Sequence, residues 1–340
     1  MTAVLNEENA PALARLALPH FGIPADAPLE FVKIRENCVF RVLDADGPVA
    51  LRLHRPGYRA PHEIVAESEF IEALGAEGVP VADLLRTTSG EHTVTVEVDG
   101  LEVVVDAQRW VMAAGQLGDT DSAWSGTASL TAADFETLGA LAAQLHQASE
   151  TVSRTRRFAR APWDREGLVG AKPLWGDPRL APGLSPEQTT IIDASITAVD
   201  HLLRDYGTDP SVYGAIHADF TPENILTGDQ GYVLIDFDDF GDGWYLFDLA
   251  TALFFYQRHA RYREMADALL VGYRGVRSLR PEDEALMDAF MFIRGLTYLG
   301  WAATRPETDT AAFIAEELVP MIVDQAEALV RGLSPARARI

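Results

Sequence analysis

The sequence is most informative over residues 213–250, YGAIHADFTPENILTGDQGYVLIDFDDFGDGWYLFDLA. An apolar run leads to His217 and Asp219, and Asn224 follows five residues after that aspartate. The short run YVLIDF then ends in Asp236. The spacing between Asp219 and Asn224 allows one loop to present both side chains to one cleft, while Asp236 arrives from an adjacent hairpin. The segment therefore predicts that two carboxylates and one carboxamide converge.

These three side chains suit phosphoryl transfer from a nucleotide. One aspartate is needed to orient the attacking hydroxyl and accept its proton, and an asparagine and a second aspartate hold Mg²⁺ against the phosphates. Carboxylate and carboxamide oxygens are the hard ligands that this ion prefers. We therefore expect Mg²⁺ and a nucleotide as cofactors.

The first third of the chain reads as strands around one helix, because short β-branched or aromatic runs alternate with turn residues. Asp99-Gly100 is a strong signal for a two-residue hairpin turn. Residues 61–76 have helical spacing of apolar side chains. Together these patterns predict a five-stranded antiparallel sheet with one packed helix. The predicted strands are FVKIR (31–35), CVFRVLD (38–44), VALRLH (49–54), HTVTVEV (92–98) and LEVVVDAQRW (101–110).

After Gly115 the sequence becomes mainly helical, beginning with the loop-like stretch GQLGDTDSAWSGTAS. Thr131 with Asp134, and Ser185 with Gln188, have the spacing of helix N-terminal capping boxes. Four further apolar-periodic segments occupy 247–332. We predict an α+β, two-lobed protein, with a nucleotide-binding lobe over 1–114 and a helical lobe over 115–340 that carries the catalytic loop and the acceptor site.

Composition excludes several classes of protein. The 340 residues, 48% of them hydrophobic, are enough for two domains with a substantial core. With 28 Lys and Arg against 51 Asp and Glu, the net charge of −23 disfavours nucleic acid as a partner. The single cysteine, Cys38, cannot form an internal disulfide, and no apolar run reaches the roughly 18 residues of a membrane helix. We expect a cytoplasmic protein without a membrane partner, either a monomer or a homodimer.

HADFTPEN followed by LIDFDD resembles the aminoglycoside phosphotransferase and choline kinase superfamily, small-molecule relatives of protein kinases, and especially its homoserine-kinase-like and bacterial stress-response-kinase branch. ENCVFRV resembles the nucleotide-covering turn of these proteins, ALRLHRPGY their third strand, EIVAESEF the helix with the paired glutamate, and LGALAAQLHQAS the helix ahead of the catalytic loop. The resemblance implies a two-lobed protein-kinase-like fold. It also implies transfer of the γ-phosphate of ATP to a hydroxyl of a small molecule, such as an amino alcohol, amino acid, sugar or aminoglycoside.

The resemblance also implies roles for single residues. Asp219 becomes the catalytic base or hydroxyl-orienting residue, and Asn224 and Asp236 become the magnesium ligands. His217 holds the catalytic loop. Asp248 matches the buried aspartate that braces this loop through backbone hydrogen bonds.

The chain departs from the family pattern in its phosphate-binding residues. Arg52 stands where the third strand normally carries a lysine, and the resemblance then implies a pair between Arg52 and Glu67. The chain has only two lysines, Lys33 and Lys172. Lys33, in the first predicted strand, either reaches the phosphates or simply covers apolar surface. The phosphate loop lacks the G-x-G-x-x-G motif, so backbone amides around Glu36 and Asn37 are expected to take its place.

Two further regions are candidates for ligand contact. Trp110, Val111 and Met112 end the last strand of the sheet, where the resemblance places adenine; the alternative is an ordinary buried strand end. For the acceptor, Trp175 and Asp164 can hold an amine by cation–π and ionic contacts, or they can pack this segment against the lobe. The acidic residues that follow the metal-binding motif are weaker candidates for the metal or a cationic substrate: Asp238, Asp239 and Asp242.

Other functions remain open at this point. A Ser/Thr protein kinase of the stress-response type would use the same residues, although the short DFGDGWYL segment favours a small acceptor. The missing third-strand lysine motivates a non-catalytic, nucleotide-binding pseudokinase. His217-x-Asp219 with His259 would suit an iron site, but that site gives Asn224 and Asp236 no task. VLIDFDD would suit a haloacid-dehalogenase-like phosphatase, but that chemistry expects the aspartate pair near the start of a doubly wound domain and a dedicated lysine, and neither lysine lies downstream of it.

Overall fold

A computed structural model describes residues 4–34, 37–228 and 231–332. Single turns of 3₁₀-helix lie at Leu18–Phe21, Pro178–Leu180, Pro222–Asn224 and Phe254–Arg258, and a π-helical turn at Ile314–Leu318. The helices and strands are, in chain order, α1 (Ala10–Ala17), β1 (Leu29–Ile34), β2 (Asn37–Asp44), β3 (Gly47–His54), α2 (Pro61–Ala76), β4 (Leu84–Leu85), β5 (Thr93–Val98), β6 (Leu101–Arg109), β7 (Gly115–Gln116), α3 (Thr120–Trp124), α4 (Ala132–Ser153), α5 (Arg165–Val169), α6 (Pro186–Tyr206), β8 (Tyr213–Ile216), β9 (Ile225–Gly228), β10 (Gly231–Leu234), β11 (Gly241–Trp244), α7 (Tyr245–Leu253), α8 (Tyr262–Val276), α9 (Pro281–Glu284), α10 (Met287–Thr304), α11 (Asp309–Phe313) and α12 (Val319–Val330).

The chain forms two compact units. The first unit contains the residues up to 116 together with 156–160 and 225–238, and the second contains 117–155, 161–224 and the residues from 239 onward. The chain first passes from the first unit to the second after residue 116, two residues beyond the predicted boundary at 114. The sequence patterns did not indicate that it returns to the first unit twice, at 156–160 and at 225–238. As a functional division, the boundary stays a prediction.

The first unit is built on an antiparallel sheet with the order β1-β2-β3-β6, and β5 and β4 pair with the remaining edge of β6. All five predicted strands form, and the two-residue β4 is an addition that the sequence did not indicate. Asp99 (φ 51°) and Gly100 (φ 78°) connect β5 to β6 with positive φ at both positions, as a type I′ turn requires. The α+β fold class is therefore confirmed.

The two faces of this sheet differ in chemistry, because side chains alternate along each strand. One face is apolar and packs with α1, a helix that the sequence analysis did not predict; its core includes Phe40, Leu51 and Val105. The other face carries Arg52 and Asp106 beneath α2. A bulge interrupts the pairing of β1 with β2 between Phe31 and Lys33, so that Lys33 lies opposite Val39.

The second unit is mainly helical, and its predicted helix starts are confirmed. Thr131 and Ser185 each form the predicted capping box at the start of α4 and α6. Helices α4 and α8 pack closely where Gly139 faces α8, since an added Cβ would lie 1.9 Å from the carbonyl oxygen of Leu269. Strand β8 pairs with β11, and every residue of α7 is buried. Among the residues described above, no helix has the length and apolar character needed to cross a bilayer.

Candidate active site

The catalytic segment predicted from the sequence leaves β8 at Ile216 and is held by one buried carboxylate. Asp248 of α7 is fully buried. Its Oδ2 accepts the backbone N–H of His217 at 2.9 Å, and its Oδ1 accepts that of Ala218 at 2.8 Å. Ala218 has a φ of 65°, a left-handed conformation that a non-glycine residue keeps only where its surroundings impose it. The bracing role predicted for Asp248 is confirmed.

Asp248 is itself supported by a buried histidine from α4. His146 Nε2 lies 3.0 Å from Asp248 Oδ2, and His146 Nδ1 lies 2.9 Å from the hydroxyl of Tyr273 in α8. Burial lowers the pKa of His146, and the nearby Asp248 only partly offsets this. The imidazole is therefore neutral near pH 7, donating from Nε2 to Asp248 and accepting at Nδ1 from Tyr273. This network joins three helices beneath the catalytic segment.

The carboxylate of Asp219 is held at both oxygens. Asn224 Nδ2 donates to Asp219 Oδ2 at 2.8 Å and to its backbone oxygen at 2.9 Å. Arg294 Nη2 donates to Asp219 Oδ1 at 2.6 Å. The Asp219 side chain keeps 29% of its surface exposed, so it is fixed in orientation but still open to solvent. His217 holds the same loop as predicted, because its Nδ1 accepts the backbone N–H of Asp219 at 3.3 Å.

Arg294 is a site residue that the sequence analysis missed. Its side chain is fully buried, and its Nη1 also donates to the backbone oxygen of Ala218 at 3.1 Å. The guanidinium lies over the rings of Tyr298 and Trp175, at 4.4 and 4.6 Å from their centroids. Burial alone would lower the pKa of Arg294, but the Tyr298 hydroxyl and the Asp219 carboxylate outweigh it and hold this pKa above its ordinary value. A charged residue inside the apolar run MDAFMFIRGLTYLG of α10 was the available signal.

Asp236 belongs to the first unit, whereas Asp219 and Asn224 belong to the second. Asp236 has a φ of 67°, and Lys33 Nζ lies 3.9 Å from its Oδ2, also within the first unit. Asp236 offers a carboxylate, the kind of oxygen ligand that a hard cation prefers. Asn224 donates from its Nδ2 to Asp219, so its carboxamide oxygen takes no part in that hydrogen bond.

The pair implied between Arg52 and Glu67 is present, with Arg52 Nη1 2.9 Å from Glu67 Oε1. Sequence reasoning missed the second partner, Asp106 of β6, which accepts from Arg52 Nε at 2.8 Å and from Nη2 at 2.6 Å. His54 Nε2 lies 2.8 Å from the same carboxylate. Burial alone would raise the pKa of Asp106, but Arg52 and His54 outweigh it and hold this pKa well below its usual range.

The remaining nucleotide candidates also lie in the first unit. Asn37 starts β2, and its buried Oδ1 has no hydrogen-bond partner among the described residues; Glu36 lies outside those residues. The backbone N–H of Trp110 donates to the backbone oxygen of Pro48 at 2.9 Å. Met112 is 72% exposed, so the alternative of a buried strand end is wrong for this residue.

The structure separates the acceptor candidates, of which Asp242 lies in β11. Trp175 Nε1 donates to Asp239 Oδ1 at 3.1 Å in the second unit, so these two residues come together. Asp164 instead caps α5 by accepting the N–H of Gly167 at 2.9 Å. Asp238 is buried in the first unit.

The known proteins that this chain resembles are phosphotransferases and kinases. A model of the phosphotransferase enzyme family matches residues 30–284. The structure of a microcompartment-associated aminopropanol kinase is 31% identical, covers 96% of this chain and 98% of its own, and superposes with a TM-score of 0.81. Amicoumacin kinase of Bacillus subtilis is 23% identical over 239 residues, 70% of this chain and 66% of that protein. A choline/ethanolamine kinase family protein from Mesorhizobium loti is 17% identical, covers 97% of this chain and 96% of its own, and shares the fold with a TM-score of 0.61.

Proposed function

Because the chain belongs to the phosphotransferase enzyme family, we propose that it transfers the γ-phosphoryl group of ATP, with Mg²⁺, to a hydroxyl of a small amino alcohol. The observation that carries this proposal is the fixed carboxylate of Asp219, with Asn224 at one oxygen and Arg294 at the other. The aminopropanol kinase, with 31% identity over nearly the whole chain, supports the choice of acceptor.

Asp219 orients the acceptor hydroxyl and takes its proton. The acceptor oxygen forms a bond to the γ-phosphorus, the bond from that phosphorus to the β-bridging oxygen breaks, and ADP leaves. A carboxylate that is already fixed at both oxygens has little freedom to lose when the acceptor binds, which lowers the entropic part of the barrier. The partial exposure of Asp219 gives the hydroxyl access to it.

Asn224 and Asp236 hold the metal in this proposal, through a carboxamide and a carboxylate oxygen. Bound by these two residues, Mg²⁺ would neutralise charge on the phosphates. The donor chemistry of both residues supports this assignment, and the backbone of Asp236, at a φ of 67°, is held in a conformation that is typical of functional positions.

Asp239 is the group that we assign to the ammonium of the acceptor. One face of Trp175 is already covered by the Arg294 guanidinium, which disfavours a second cation on that face and leaves the carboxylate as the better partner. A primary amine can donate to Asp239, whereas a quaternary ammonium cannot. We therefore expect amino alcohols with a free amine to be better substrates than choline.

The test is ADP release from ATP and Mg²⁺ with a panel of acceptors: 1-amino-2-propanol, ethanolamine, choline, homoserine, an aminoglycoside and a protein substrate. We expect turnover with primary amino alcohols, loss of turnover in Asp219→Asn, and unchanged turnover in Asp205→Asn, a matched change at an exposed position of α6. Phosphorylation of the protein substrate alone would overturn the proposal in favour of a protein kinase. Full activity of Asp219→Asn would overturn the assignment of the base.

A further inference from the structure

Arg52, at the strand position where the family usually carries its phosphate-binding lysine, contacts carboxylates of the protein itself. All three guanidinium nitrogens of Arg52 make contacts with carboxylates: Nη1 with Glu67, and Nε and Nη2 with Asp106. Only 9% of the Arg52 side chain is exposed. One positive charge between two carboxylates leaves the cluster without a net positive field, so it has little to offer a phosphate.

The bulge in β1 brings a lysine onto the same face of the sheet. Phe31 lies opposite Phe40, but the next pair is Lys33 with Val39, so the bulge falls at Val32. Without it, continued pairing would set Lys33 opposite Cys38, on the apolar face that packs with α1. Bulges are frequent next to active sites, where they redirect a side chain.

With the bulge, Lys33 joins a row of directly opposed residues that crosses the sheet. Val39 lies opposite Arg52, and Arg52 opposite Asp106. Residues that are directly opposed project from the same face. Lys33 is two strands, or about 10 Å, from Arg52, and its flexible stem can reach further along that face.

We propose that Lys33, rather than Arg52, supplies the cation that binds the nucleotide phosphates, while Arg52 fixes α2 to the sheet. This inference rests on the proposed function, because it requires a nucleotide. Lys33 Nζ lies 3.9 Å from Asp236 Oδ2, the carboxylate assigned to the metal, and the Lys33 side chain is 48% exposed. Asp236 would hold the metal in the proposed function, so an ammonium near this carboxylate would lie beside the phosphates that accompany the metal.

The net charge of −23 favours a local cation at the phosphate site. A polyphosphate approaching an acidic protein needs local positive charge, and the ammonium of a lysine binds phosphate as a compact point charge. The only other lysine in the sequence is Lys172, in the second unit.

The experiment measures affinity rather than turnover. The dissociation constants of adenosine and of AMP-PNP with Mg²⁺ are determined by calorimetry for the full chain and for Lys33→Met, Lys33→Arg, Arg52→Lys and the control Lys172→Met. We expect Lys33→Met to weaken AMP-PNP about tenfold or more and to leave adenosine unchanged, since only AMP-PNP carries phosphates. Lys33→Arg should restore most of the affinity for AMP-PNP. Arg52→Lys should lower the melting temperature and weaken both ligands by a similar factor.

Two results would overturn the inference, and they are distinguishable. If the unmodified protein binds AMP-PNP and Lys33→Met binds it equally well, Lys33 does not contact the phosphates, although the proposed function stands. If the unmodified protein binds no AMP-PNP, the proposed function fails and the inference fails with it. A selective loss of AMP-PNP affinity in Arg52→Lys, with Lys33→Met unaffected, would return the role to Arg52.

Discussion

Replacing Asp248 by asparagine should destabilise the second unit strongly, although the side chain keeps its shape. The carboxylate accepts three hydrogen bonds, from the N–H groups of His217 and Ala218 and from His146 Nε2. An asparagine has one accepting oxygen and one NH₂ group. In its better orientation, the NH₂ replaces Oδ1 and faces the N–H of Ala218, so that one buried backbone donor loses its acceptor.

The size of the effect follows from these contacts. A hydrogen bond to a charged group is worth about 1.5–3 kcal/mol, and a buried donor without a partner costs about 1–3 kcal/mol. The remaining two bonds also weaken when the charge is removed. We therefore expect Asp248→Asn to lower the free energy of unfolding by about 3 kcal/mol, a large part of the roughly 5–15 kcal/mol that holds most proteins folded.

Urea unfolding, followed by tryptophan fluorescence, measures this change, because Trp163 and Trp244 are buried in the same unit. The control is Asp324→Asn, an exposed position of α12. At about 1–3 kcal/mol per molar urea, the midpoint of Asp248→Asn should fall by about 1 M or more, while that of the control should not move. A midpoint equal to that of the unmodified protein would refute the bracing role that we assign to Asp248.

Arg294→Lys should lower kcat about a hundredfold with little change in the KM for ATP, because one ammonium cannot replace the two guanidinium nitrogens that hold Ala218 and Asp219. Steady-state kinetics with the best amino alcohol measure this effect, and an unchanged kcat would contradict it. Because His146 is buried with a lowered pKa, the free energy of unfolding should fall as pH drops below about 6.5, by up to about 1.4 kcal/mol per pH unit. Urea unfolding at about pH 7.5 and about pH 5.5 should show a smaller loss for His146→Gln, and an equal loss would exclude His146 as the cause. Asp99→Ala should lower the free energy of unfolding by about 1 kcal/mol, since alanine disfavours a φ of 51°, whereas Asp99→Gly should leave it nearly unchanged. Thermal unfolding measures both, and equal melting temperatures for the unmodified protein and the two variants would count against strain in this turn.

Local signals were sufficient for most of the fold. Asp99-Gly100 predicted its hairpin because only a few residue types adopt positive φ at both turn positions. Thr131 and Ser185 predicted helix starts because their side chains meet backbone N–H groups within one turn. Helix α1 was not predicted, since its stability comes from packing against a sheet that is distant in sequence.

In the candidate site, too, features fixed by a local sequence pattern were predictable, and contacts between distant residues were not. The bracing by Asp248 was predictable because the family pattern fixes its distance from the catalytic segment along the chain. Arg294 and Asp106 were not, because each meets its partner from more than 50 residues away, 75 for Arg294 with Asp219 and 54 for Asp106 with Arg52. Asp164 resembled a substrate ligand in the sequence and is a helix cap in the structure, since a carboxylate before a short helix serves the backbone as well as it serves an amine.

The bulge at Val32 bears on how the sequences of such chains are compared. Insertion of one residue into a strand transfers every side chain beyond it to the opposite face, while the rest of the sheet keeps its pairing. One extra residue in β1 is thus enough to place Lys33 on the face of the sheet that carries Arg52. A sequence comparison that inspects only the third strand finds Arg52 and overlooks Lys33, whereas one that follows cross-strand neighbours finds both residues.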